Sequence, residues 1–172
     1  MTKKIYISLT FLTLATIFIV SCSNPFAPKL TDPLDASAIL GDQTTVEGVY
    51  ENFRYSYIFK DTSVYGRLLA DDFNFVYHNY DRDLPMSWSR DEDVKSTYGL
   101  FQATSKMDLN WNEFASVIGD SLLKDLTRSF TLTITFSPSD IVKVQGTANF
   151  RLQRTSTQEV WKIRRWIDES NY

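Results

Sequence analysis

One histidine, one cysteine and a scatter of carboxylates bound the chemistry open to this chain. His78 is the only imidazole and directly follows Tyr77. Alternation along a strand turns it away from the side that holds Phe73, Phe75 and Tyr77, and a general base needs a partner placed beside it. Its expected position is therefore outward or at a strand end, and Tyr77, His78 and Arg165 are the only candidates for a catalytic role. Arg165 shares the parity of Trp161, Ile163 and Ile167, and a guanidinium on such an apolar stripe needs a partner. Glu113, with the parity of Met107, Leu109 and Trp111, could be that partner. Three readings of Arg165 stay open: a strand-end residue reaching water along its stem, an anion or carboxylate clamp inside a pocket, and a structural ion pair. The single Cys22 can close no intramolecular disulfide and, with one histidine, cannot assemble the usual zinc ligands. Asp81, Asp83 and Glu92 match three positions of a calcium loop, but Pro85 and Met86 stand where an oxygen ligand and a glycine are required. Neither a metal nor a cofactor is expected.

The overall composition narrows the class further. In 172 residues, 43% hydrophobic and 15% aromatic, there is material for one ordinary core. Eighteen basic against 21 acidic side chains give a formal charge of −3. That balance excludes a nucleic-acid partner, which demands concentrated Lys and Arg to neutralise phosphates. Phosphate-cradling glycine loops and nucleophile-elbow serines are absent.

The chain opens with Lys3 and Lys4, an apolar run from Ile5 to Val20 and a small residue, Ser21, just before Cys22. These are the basic, apolar and cleavage regions of a secretory signal peptide, with an apolar run short for a permanent membrane span. Ile19-Val20-Ser21-Cys22 resembles the lipobox of bacterial lipoproteins. The resemblance implies a signal peptide over residues 1–21 and a lipid on Cys22, which becomes the first residue of the mature chain. Acyl chains contribute about 0.8 kcal/mol per buried methylene and hold a folded domain at a membrane without a spanning helix. The expected partner is thus a membrane, reached through Cys22, in the bacterial cell envelope. Ser23 in place of an acidic residue favours the outer membrane, facing the periplasm. Residues 22–43, with three prolines among Ser, Thr and Asp, read as lipidated residue and flexible tether.

The elements that would position a site follow from residue 44. Thr44-Thr45-Val46-Glu47 fits a capping box ahead of a helical stripe of Val46, Val49, Tyr50, Phe53 and Tyr57. Asp61 caps a shorter helix carrying Val64, Tyr65, Leu68 and Leu69. Phe73 to Tyr77 is the first strand, Asn79 to Ser89 a polar loop with Trp88, and Arg90 to Ala103 a third helix with Ser89 as cap and Val94, Tyr98 and Phe101 on one side. From Met107 the period is two: Met107, Leu109 and Trp111, then Phe130 to Phe136, then Val142 to Leu152, then Trp161 to Ile167. Helices followed by antiparallel strands make an α+β domain.

This order resembles the nuclear transport factor 2-like superfamily, including its SnoaL-like branch, over residues 44–172. The pieces that carry it are Lys60-Asp61, Leu68-Leu69-Ala70-Asp71-Asp72-Phe73 and the terminal WKIRRWID that starts at Trp161. The resemblance implies a cone in which about three N-terminal helices pack on a curved antiparallel sheet around a deep pocket, with dimerisation through the sheet. Laid without gaps on the steroid-isomerase branch, the general-base position falls on Tyr77 and the oxyanion-hole tyrosine on Phe53. A phenol is a poor base near neutrality and Phe53 has no hydroxyl to donate, so that chemistry is disfavoured. The leading expectation is a non-catalytic binding domain for a small amphipathic ligand or an envelope partner. Its pocket would draw on Tyr57, Phe75, Tyr77, Trp111, Glu113 and Arg165. The alternative is a small-molecule isomerase, cyclase or hydrolase.

Overall fold

The computed structural model describes residues 40–79 and 83–169. The expected signal peptide, Cys22 and most of the tether lie outside the described residues. The described chain runs α1 (Val46–Ile58), α2 (Thr62–Leu68), β1 (Leu69–Asn79), β2 (Leu84–Ser89), α3 (Arg90–Ala103), β3 (Lys106–Gly119), β4 (Leu123–Ser137), β5 (Asp140–Gln153) and β6 (Lys162–Asp168). Three helices thus precede the long strands and pack on one face of a curved, open sheet of order β2-β1-β6-β5-β4-β3. Every neighbouring pair is antiparallel except β1 and β6, which run parallel.

Local signals start each helix. At α1 the cap is Thr45, whose side-chain oxygen accepts from the Gly48 N–H at 3.0 Å. The expected box on Thr44 and Glu47 does not form. Asp42 takes both the Thr44 N–H (2.9 Å) and its hydroxyl (2.8 Å), while Glu47 pairs with Arg128 at 3.0 Å. Asp61 caps α2 by accepting from the Val64 N–H at 2.9 Å. Glu92 reaches back to the Ser89 N–H at 2.8 Å and fixes the start of α3.

The folded unit also begins earlier than residue 44. Gly41 and Asn52 exchange two hydrogen bonds of 2.7 and 2.9 Å, and Gln43 and Trp161 exchange two more of 2.8 and 2.9 Å. This strap lies so close to α1 that a Cβ on Gly48 would sit 1.9 Å from the Asp42 carbonyl oxygen, which only glycine avoids.

Two further departures reshape the site. Leu84–Ser89, read as loop, is an edge strand whose Met86 and Trp88 alternate with serines; Pro85 is tolerated next to its start because the strand has a neighbour on one side only. Register shifts then break the alternation of β3 and β6. In β3 the shift between Trp111 and Phe114 turns Phe114 inward, edge-on to Tyr50 at 5.1 Å, and leaves Glu113 exposed. In β6 the pairing jumps from Leu69↔Ile163 to Asn74↔Arg165, so Trp166 rather than Arg165 follows Ile163 into the core.

That core lies between α1 and the covered face of the sheet. Val49, Tyr50 and Phe53 are nearly fully buried against Leu109, Phe150 and Ile163. The rings of Tyr50 and Phe150 stack at 5.3 Å, and Phe53 meets Trp166 edge-on at 5.5 Å. Such rings combine a large buried area with preferred geometry, which fixes α1 on the sheet.

Candidate functional site

A cavity of about 260 Å³ opens between the helices and the sheet, near the lower end of the size range of small-ligand pockets. From α1 it takes Phe53 and Tyr57; from β1 and β2, Phe75 and Trp88; from α3, Asp93, Ser96, Thr97 and Leu100. The sheet adds Leu109 and Trp111 from β3, Phe130, Leu132 and Ile134 from β4, Val144 from β5, and Trp166 and Asp168 from β6. Seven of these sixteen residues are aromatic and five aliphatic, so the walls are mostly apolar. Phe75 and Trp88 stack at 5.2 Å, and Phe75 meets Trp166 edge-on at 4.8 Å. The carboxylates and aliphatic hydroxyls come from α3 and the end of β6, which gives the cavity an apolar body and a few fixed polar points.

Asp93 is the most constrained of those points. It is 3% exposed, and its two oxygens accept from the Tyr65 hydroxyl at 2.5 Å and the Trp88 indole N–H at 3.1 Å. Loss of hydration pushes its carboxyl up to about 6, against the downward pull of those two bonds. Tyr65, fully buried, is held well above its ordinary range by burial and by the neighbouring Tyr57 and Asp93. A carboxyl titrating near neutrality inside a cavity can accept or donate a proton and can also bind a donor or a cation.

The residues singled out in the sequence are divided by this geometry. Tyr57, Phe75 and Trp111 line the cavity. Tyr77 does not; its ring packs on Phe75 at 5.8 Å and Trp88 at 5.3 Å, behind the lining. His78 lies at the surface, 3.2 Å from Asp83, outside the cavity. Glu113 is exposed and Arg165 sits beside Asp125 at 3.8 Å, neither of them in the lining, because the two register shifts reverse the parity on which both expectations rested. The guanidiniums that do pack on rings are those of Arg128, 4.3 Å from the Phe114 centroid and 4.9 Å from that of Tyr50, and Arg154, 4.2 Å from the Trp161 centroid.

Asp93 itself goes unnoticed in the sequence because it stands in Asp91-Glu92-Asp93, which reads as the solvated first turn of a helix. The face of α3 is also rotated from the expected one: Asp93, Thr97 and Phe101 are buried, whereas Tyr98 is 53% exposed. Counting back from Leu100 and Phe101 in steps of three and four would have reached Thr97 and Asp93. Among the described residues, no three His, Cys, Asp or Glu side chains gather in a way that could hold a metal ion, and no helix is long and apolar enough to cross a membrane.

No family model and no curated protein matches the chain. Solved structures do. The Kfla4162 protein of Kribbella flavida aligns with a TM-score of 0.64 at 14% identity, over 80% of this chain and 94% of that one. A protein of Novosphingobium aromaticivorans named as a candidate scytalone dehydratase aligns with a TM-score of 0.63 at 11% identity, over 74% and 82%. A Streptomyces avermitilis protein of the NTF2-like family, named as a candidate dehydratase, gives 0.60 at 14% identity, over 74% and 94%. Helix order, open sheet and these likenesses agree on one architecture, and the chain has the nuclear transport factor 2-like fold.

Proposed function

We propose that this domain binds a small amphipathic molecule in its cavity and is carried on a lipoprotein anchored through Cys22 at the outer membrane, facing the periplasm. The observation that carries the binding reading is the cavity itself: an apolar, ring-rich chamber with its carboxylates and aliphatic hydroxyls on α3 and at the end of β6. Apolar walls supply affinity, and a few fixed polar groups orient the guest. The basic start, apolar run and Ser21-Cys22 junction support the anchor. Native mass spectrometry of the delipidated protein purified from its host tests the binding reading. A stoichiometric small molecule is the expected result, and repeated recovery of the empty chain would count against it. Intact mass tests the anchor, which requires a chain beginning at an acylated Cys22.

A second reading, a small-molecule enzyme of the dehydratase or isomerase kind, is favoured by Asp93, a buried carboxyl titrating near 6 at the cavity wall. Two solved structures of the same fold are named as candidate dehydratases. Incubating the recovered molecule with the protein and with Asp93→Asn separates the readings: turnover abolished by the substitution identifies an enzyme, and an unchanged ligand identifies a binding domain.

A further inference from the structure

We propose that the cavity selects an organic cation, a small protonated amine or quaternary ammonium carried on an apolar or aromatic body. This deepens the binding reading and rests on it, by naming the chemical class of the guest.

Among the described residues the cavity lining contains carboxylates and no Lys, Arg or His. Asp93 is the informative one. The groups bonded to it, the Tyr65 hydroxyl and the Trp88 indole, are both neutral, so its charge has polar contacts and no counter-ion among them. Its upward shift is caused first by lost hydration, which the two neutral donors only partly offset. A guest cation would supply the missing compensation. The walls add to the same preference. Trp88, Tyr57, Trp111 and Trp166 line the cavity that holds the carboxylate, and an aromatic ring attracts a cation that reaches its face, most strongly where water is excluded. An anion would meet the Asp93 charge at low dielectric with no cationic side chain among the described lining residues to receive it. A neutral hydroxyl would find an acceptor but none of the charge compensation.

Three probes of one shape and different charge test this: phenethylamine, phenethyl alcohol and phenylacetate, titrated near neutral pH into the folded protein by calorimetry or tryptophan fluorescence. The amine is expected to bind about ten-fold or more tightly than the alcohol, with phenylacetate the weakest. Asp93→Asn is expected to remove most of the preference for the amine over the alcohol. The asparagine carbonyl can still accept from Trp88 and its amide can donate to the Tyr65 oxygen, so the geometry of the wall is retained. Should that variant fail to fold, the charge series on the unaltered protein still decides the matter. Alcohol or acid binding as tightly as amine overturns the cation preference and leaves the binding reading standing. Absence of binding by all three overturns both. An amine preference unchanged in folded Asp93→Asn overturns the assignment to Asp93.

Discussion

Asp93 and Asp125 each accept two hydrogen bonds, yet their acidities move in opposite directions. Asp93 is buried and bonded to a phenol and an indole, and its carboxyl rises to about 6. Asp125 lies about half exposed, accepts from Arg151 Nε at 2.8 Å and Nη2 at 2.9 Å, and has Arg165 at 3.8 Å. Its carboxyl falls below the usual range, chiefly through the Arg151 bonds. The count of hydrogen bonds is therefore a poor guide to a carboxyl group. Whether the donors carry charge, and whether water still reaches the oxygens, decides the sign.

The dry side of this contrast is the easier to break. Phe53→Ala removes a nearly fully buried ring that meets Tyr57, Tyr65, Trp111, Phe150 and Trp166. It is expected to lower the unfolding free energy by about 3–5 kcal/mol in urea titrations; a loss below about 1 kcal/mol would show that the core is not organised around this ring. Next in size is Asp93→Asn. A carboxyl raised in the folded state holds its proton more tightly there than in the unfolded chain, so native stability falls as pH climbs from the ordinary carboxylate range through about 6 and stays lower above it. Against wild type the variant should gain stability across that window, by about 3 kcal/mol at its upper end. A pH-independent difference between the two proteins would refute the burial account. Tyr65→Phe removes the shorter of the two bonds to Asp93 and should push the Asp93 titration seen by carboxyl NMR still higher, at a cost of about 1–2 kcal/mol near neutral pH. Smallest is Arg151→Ala. Asp125 should return toward the ordinary range while stability changes by under about 1 kcal/mol, less in high salt, because both partners are well exposed.

What the sequence discloses is local, and what it hides is produced by contacts between distant segments. The start of α3 is legible because Ser89 and Glu92 stand at capping spacing within one turn. Asp61 announces α2 for the same reason. The inner faces of β4 and β5 follow from alternation read through Phe130, Leu132 and Ile134 and through Ala148, Phe150 and Leu152. Alternation in β3 is a true guide as far as Trp111 and fails at Glu113, since an added residue leaves no mark in residue types that are themselves mixed. The β6 bulge hides Trp166 and Asp168 in the same way and gives Arg165 a false inward parity. Asp93 is the extreme case. Its burial depends on Tyr65 from α2 and Trp88 from β2, and neither partner is visible from an acidic triplet at the start of a helix.

The position of β6 has a consequence for how the chain comes to be whole. It is the last of the described strands in sequence, yet it lies between β1 and β5, as the seam that joins the hairpin β1–β2 to the meander β3–β5. Until residues 162–168 arrive, those pieces share no backbone ladder, and the wall formed by Trp166 and Asp168 does not exist. A chain in which β6 has not docked therefore has no finished chamber to offer a guest. Assembly of the sheet and assembly of the cavity are therefore a single event, set by the docking of one short segment between two distant ones.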